Sequence, residues 1–197
     1  MTKTLEKSTE MMPGSAENPM AELSEQKREL NKRIRNLFYS VAGSVLGMKD
    51  EERFWELMTV LQKECTSPFV SERYGDAGRF KHGTSTFAWK FAFGDYSDDF
   101  YELLSFIKTY NEKTGKISKA LYDVVEGYGD DGYGDFCDSF LMHGREAYEK
   151  ALQGELVKDA KDLDLGENYV RTNLETAAME YFEGYAFHKK EDEKYNA

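Results

Sequence analysis

The chain has 197 residues, of which 40% are apolar and 32% charged, enough for one domain with a genuine core under a highly charged surface. Twenty-six Lys/Arg stand against 37 Asp/Glu, a formal net charge of -11, which excludes an ordinary basic nucleic-acid binder and a basic membrane-surface protein. Two cysteines cannot build a disulfide framework, and three prolines cannot build a proline-rich scaffold.

Residues 1–17 show neither periodicity nor an apolar core of signal-peptide type, and read as a flexible N-terminal tail. No run of about 18 apolar residues occurs, so no membrane span is expected. Cys65 and Cys137 have no CxxC partner and read as buried free thiols. Together these features point to a cytoplasmic protein.

A helical domain is expected over residues 18–189. Asn18 is a good N-cap and Pro19 suits the first helical position. From there Leu23, Leu30, Ile34, Leu37, Phe38, Val41 and Val45 recur at helical spacing over 19–46, with Lys27, Arg28, Lys32, Arg33 and Arg35 on other faces. Asp50 caps a second helix with Glu51 and Glu52 in its first turn, and Thr66-Ser67-Pro68 stops it. Residues 69–83 read as a loop. In 86–93, Phe87, Trp89, Phe91 and Phe93 alternate as a short aromatic strand or hairpin would, but also pair at i and i+4 as in a helix.

Ser97 is read as the cap of the next helix, Asp98 and Asp99 as its first turn and Gly115 as its C-cap. Ile117, Leu121, Val124, Val125 and Tyr128 then mark a separate, antiparallel helix. The stretch 126–135 (EGYGDDGYGD) reads as a Gly/Asp loop, with Asp135 capping a helix that carries Phe136, Phe140 and Leu141. Gly144 breaks that helix before Ala147, Ala151 and Leu152, and Gly154 ends it. Val170 to Tyr185 mark a last helix over 168–189, and 190–197 should fray. The fold class expected is mainly α, a single irregular domain of six or seven helices.

Charge is unevenly distributed: 14 Lys/Arg against 13 Asp/Glu in residues 1–90, but 12 against 24 in residues 91–197. Such an excess opposes compaction by self-repulsion, so a use for it is sought in binding. An aromatic-Gly-Asp triplet recurs at Tyr74, Phe93, Tyr128 and Tyr133, a pattern that either anchors loops or builds a recognition surface. The candidate partner-binding residues are therefore Tyr128, Asp130, Asp131, Tyr133, Asp135 and Asp138, extended by Asp95, Asp98, Asp99 and Glu102. The expected partner is a basic protein, for example a nucleic-acid-binding one whose phosphate channel the carboxylates would fill, as in an inhibitor that mimics DNA. Direct binding to nucleic acid or membrane is not expected.

Two alternatives belong to other classes. The amphipathic helix 19–46 has a near-heptad stripe and could pair with a second copy, its basic face meeting the acidic half of a neighbouring subunit. The 126–138 loop offers hard oxygen ligands for Ca²⁺ or Mg²⁺, although glycines occupy two ligand positions of the twelve-residue helix–loop–helix pattern. His143 with Glu146 one turn on, or a pocket walled by Phe87–Phe93, would serve an enzyme; no nucleophile elbow, P-loop or zinc motif accompanies them. No cofactor and no catalytic residue is assigned.

Overall fold

A computed structural model describes residues 19–67, 80–91, 99–124, 130–156 and 170–195, with side chains from 24 to 67, 80 to 91, 99 to 124, 132 to 156 and 170 to 184. Among the described residues there are seven helices and no strand. They are α1 (Pro19–Ser44), α2 (Glu51–Cys65), α3 (80–91), α4 (Phe100–Leu121), α5 (Asp130–Met142), α6 (Arg145–Leu152) and α7 (Val170–Tyr195). The 1–17 tail lies outside the described residues. α7 keeps helical backbone to Tyr195, past the expected end at 189.

Local signals explain several boundaries. Asp50 caps α2 by accepting from the Arg53 N–H at 3.1 Å, beside Glu51 and Glu52 at the positive helix end. Gly144 (φ 91°) separates α5 from α6, and Gly154 (φ 78°) follows the end of α6. Both need the left-handed region that glycine reaches without a Cβ clash.

The aromatic strand or hairpin near 86–93 does not form. Residues 86–91 lie in α3, where Phe87 and Phe91 pair one turn apart with ring centroids 5.2 Å apart. Burial against Phe106 of α4, also 5.2 Å from Phe87, selects the helix. At Gly83 the backbone of α3 meets α2: a Cβ there would lie 2.5 Å from Cys65 Cα.

The central element is α4, packed against α2, α5, α6 and α7. It is one continuous rod, not two antiparallel helices hinged at Gly115. Tyr110, Thr114, Ile117 and Leu121 lie on one face and are all buried, which outweighs the roughly 1 kcal/mol helix cost of a single glycine. Twenty-two residues at 1.5 Å each make α4 about 33 Å long.

The chain's first and last helices pack against each other at one side. Phe38 meets Phe182 at 5.8 Å and Arg35 meets Glu183 at 3.2 Å; Phe100, at the start of α4, stacks on Phe182. The α1 stripe is thus divided: Ile34 and Phe38 are buried, Val41 and Val45 half-buried, and Leu37 exposed.

Candidate functional site

Of the ten acidic and aromatic positions expected to bind a partner, Tyr133, Asp135, Asp138, Asp99 and Glu102 have described side chains, and these five do not form one surface. Tyr128, Asp95 and Asp98 lie outside the described residues. Asp130 and Asp131 begin α5, so the expected Gly/Asp loop is helical from residue 130. Asp135 is likewise inside α5, not its cap, and is half-buried. What turns this glycine-containing stretch into helix is Tyr133. Its hydroxyl donates to the Ser118 carbonyl of α4 at 2.7 Å, and its ring stacks on Phe136 at 6.1 Å. Burial raises the Tyr133 phenol pKa above its ordinary value.

Asp138 is the clearest departure from expectation. It is 2% exposed and joins three helices: Thr114 of α4 donates to Oδ1 at 3.2 Å, and the Arg171 N–H, in the first turn of α7, donates to Oδ2 at 3.4 Å. The carboxylate thereby caps a neighbouring helix. Desolvation outweighs these bonds and lifts its pKa to about 6. Buried as it is, Asp138 meets no partner protein.

The extension toward 95–102 is also used internally. Asp99, not Ser97, caps α4 by accepting from the Tyr101 N–H at 2.8 Å. Glu102 accepts from Arg53 Nε at 2.9 Å. Other acids are neutralised similarly: Glu51 by Lys113 at 2.8 Å, Glu52 and Glu149 by Arg145 at 2.6 and 3.0 Å, Glu146 by Lys150 at 2.7 Å and Glu183 by Arg35. Among the described residues, these acids are met by lysines and arginines of the same chain.

One patch combines charge with exposed apolar surface, and the sequence pattern did not isolate it. Tyr122 (72% exposed), Val124, Leu152 and Leu156 stand at the C-terminal ends of α4 and α6. The ends converge: a Cβ on Gly154 would lie 3.9 Å from Val124 Cγ2. Val124 had the spacing of a buried helix face, but α4 ends at Leu121 and leaves it in the following turn. Tyr122 sets its ring edge-on to Tyr133 at 6.4 Å, so the expected aromatic anchor supports this face from beneath. Asp123 and Glu155 are exposed there and form no ion pair among the described residues. Residues 120–156 hold nine Asp/Glu against two Lys/Arg.

A second unforeseen arrangement surrounds Lys113. Its ammonium lies 4.5 Å from the Tyr148 ring centroid, 5.1 Å from Trp55 and 5.2 Å from Phe54, and donates to Glu51. These rings form a cation cage filled by the chain's own lysine.

Among the described residues, the side chains named for an enzyme or a metal site are engaged elsewhere in the fold. His143 Nδ1 lies 3.1 Å from the Ser139 carbonyl, while Glu146, beyond the Gly144 break, pairs with Lys150. Phe87 and Phe91 are buried in the core. Among the described residues, no three His, Cys, Asp or Glu are placed to hold a metal ion. Cys65 and Cys137 are buried and form no disulfide, and burial pushes the Cys137 thiol up to about 12. Among the described residues no helix is long and apolar enough to cross a membrane. The chain matches no protein-family model, no curated protein and no solved structure.

Proposed function

We propose that this protein is a non-catalytic helical interaction module that binds a basic partner through the joint end of α4 and α6. The observation that carries this reading is the convergence of Tyr122, Val124, Leu152 and Leu156 as exposed apolar residues beside the exposed acids Asp123 and Glu155, which form no ion pair among the described residues. An apolar centre with a charged rim is the usual anatomy of a specific interface, and a rigid tyrosine is a frequent anchor. The acidic rim would steer a basic partner and select its orientation.

A narrower version, an inhibitor that mimics nucleic-acid charge, for example against a host defence nuclease, requires an unbroken carboxylate array. The ion pairing of Glu102, Glu146 and Glu149 and the burial of Asp138 favour the mixed apolar and acidic face. Two buried thiols outside any disulfide suit a reducing compartment, and we place the protein in the cytoplasm.

The test is affinity capture by the full chain and by Tyr122→Ala/Val124→Ser, at low salt and at about 0.5 M salt. The reading expects basic proteins that are lost with the variant and weakened by salt. Capture that ignores both the variant and the salt overturns it.

A further inference from the structure

The basic counterpart of this acidic face is present on the chain itself. Arg28, Lys32 and Arg35 recur at i, i+4 and i+7 along α1 and, with Asn31, Asn36 and Tyr39, line one shallow groove of about 420 Å³; Arg35 at its edge also reaches Glu183 of α7. Tyr39 is 61% exposed, and Arg28 and Lys32 form no ion pair among the described residues. Residues 24–39 hold five Lys/Arg against two Asp/Glu, the reverse of residues 120–156. Each surface thus offers an exposed tyrosine beside charges that form no ion pair among the described residues, Arg28 and Lys32 on one and Asp123 and Glu155 on the other, and the signs are opposite.

The two surfaces lie far apart on one molecule. The α1–α7 pair meets α4 at its start, through Phe100 against Phe182, whereas Tyr122 and Val124 follow its end, about 33 Å away. One copy cannot satisfy its own pair of surfaces.

We propose that the protein associates head to tail, the Arg28–Lys32–Tyr39 face of α1 in one copy seating on the Tyr122–Asp123–Val124 face of the next. The inference rests on the reading of that second face as a docking surface and names its occupant. The contact is heterologous: each copy keeps one free face of either kind, so association continues until a ring closes or a filament grows.

Sedimentation of the full chain tests it. Wild type is expected to exceed the 22.7 kDa monomer mass increasingly with concentration at low salt, and to return toward monomer in about 0.5 M salt. Arg28→Ser/Lys32→Ser and Tyr122→Ala/Asp123→Ser remove charge without reversing it at surface positions and should each be monomeric alone, with unchanged thermal unfolding. Mixed together, they retain one intact pair of faces and should form a 1:1 dimer that grows no further. A wild type monomeric at every concentration and salt, or a mixture that stays monomeric, overturns the proposal. If wild type is monomeric yet Tyr122→Ala/Val124→Ser still loses a captured basic protein, self-association fails and the docking face stands. If that capture fails as well, both fall.

Discussion

The Lys113 ammonium donates to Glu51 at 2.8 Å from inside a box of three rings, tying the first turn of α2 to the middle of α4. Lys113 is 8% exposed, so its methylenes count as core while its charge is met by the ring faces and one carboxylate. Lys113→Ala should therefore cost about 2–3 kcal/mol. Lys113→Met, which refills the volume without a charge to bury, should stay within about 1 kcal/mol of wild type. Urea unfolding distinguishes the two; equal losses would show that the contacts of the ammonium with the rings and Glu51, and not the volume the side chain fills, supply the stability.

Asp138 predicts a pH dependence of unusual sign. Its pKa is raised from 3.8 to about 6, so between these values the folded chain holds a proton that the unfolded chain lacks. Its share of stability therefore grows as pH falls from about 6 toward 4 and is lost as pH rises through 6. The groups facing it are Tyr110 and Thr114 of α4, Asp135 and Cys137 of α5, and Arg171 of α7. Glu51 acts oppositely: the hydrogen bond and charge of Lys113 lower its pKa, so its contribution is present above the ordinary carboxylate value and lost in acid. Comparison with Asp138→Asn isolates the first effect. Asn can still accept from the Arg171 N–H and donate to Thr114 Oγ1, whose own proton goes to the Tyr110 carbonyl. The variant should equal or exceed wild type above pH 6 and lose the relative advantage by about 2–3 kcal/mol near pH 4. Parallel stability curves would exclude a buried ionised carboxylate.

Two helical glycines should respond to alanine with opposite signs. Gly115 lies exposed within α4, and a Cβ there meets nothing within 4 Å, so Gly115→Ala should stabilise by about 0.5–1 kcal/mol. At Gly83 the added carbon would meet the Cys65 backbone at 2.5 Å, and separating α3 from α2 should cost about 2 kcal/mol or more. Thermal unfolding of both variants checks the pair.

Both cysteines should resist a thiol reagent in the native protein. Cys65 and Cys137 are buried, and the thiolate of Cys137 is disfavoured by desolvation first and by Asp138 second. Labelling should be negligible in buffer and reach both thiols in urea; rapid labelling without denaturant would contradict this packing.

What was legible in the sequence was local. Asp50 followed by two glutamates, or Gly144 and Gly154 between apolar runs, act through bonds and backbone angles within a few residues, and their positions hold. Gly115 and the 130–135 stretch were misread because long-range contacts decide them: burial of Ile117 and Leu121 carries α4 onward, and Tyr133 reaching Ser118 holds the start of α5 helical. The same limit governed the candidate site. Composition counts Asp138 and Glu102 as surface charge, yet one is enclosed by three helices and the other is met by Arg53, 49 positions away. The exposed Tyr122 and Val124 carried no distinguishing signal, since their apolar spacing continues the α4 pattern beyond the point where the helix stops.

The pairing of α1 with α7 sets an order of events during biosynthesis. Arg35 and Glu183 are separated by 148 positions, and the phenyl groups beside them by nearly as many. At about 5–20 residues per second, a growing chain waits on the order of ten seconds between making α1 and making the helix that covers it. During that wait Ile34 and Phe38 have no shelter from α7 while the polypeptide is still attached to the ribosome. Arrival of the final helix acts as a latch, and a ribosome stalled before residue 182 would hold a chain whose opening helix is still unfastened.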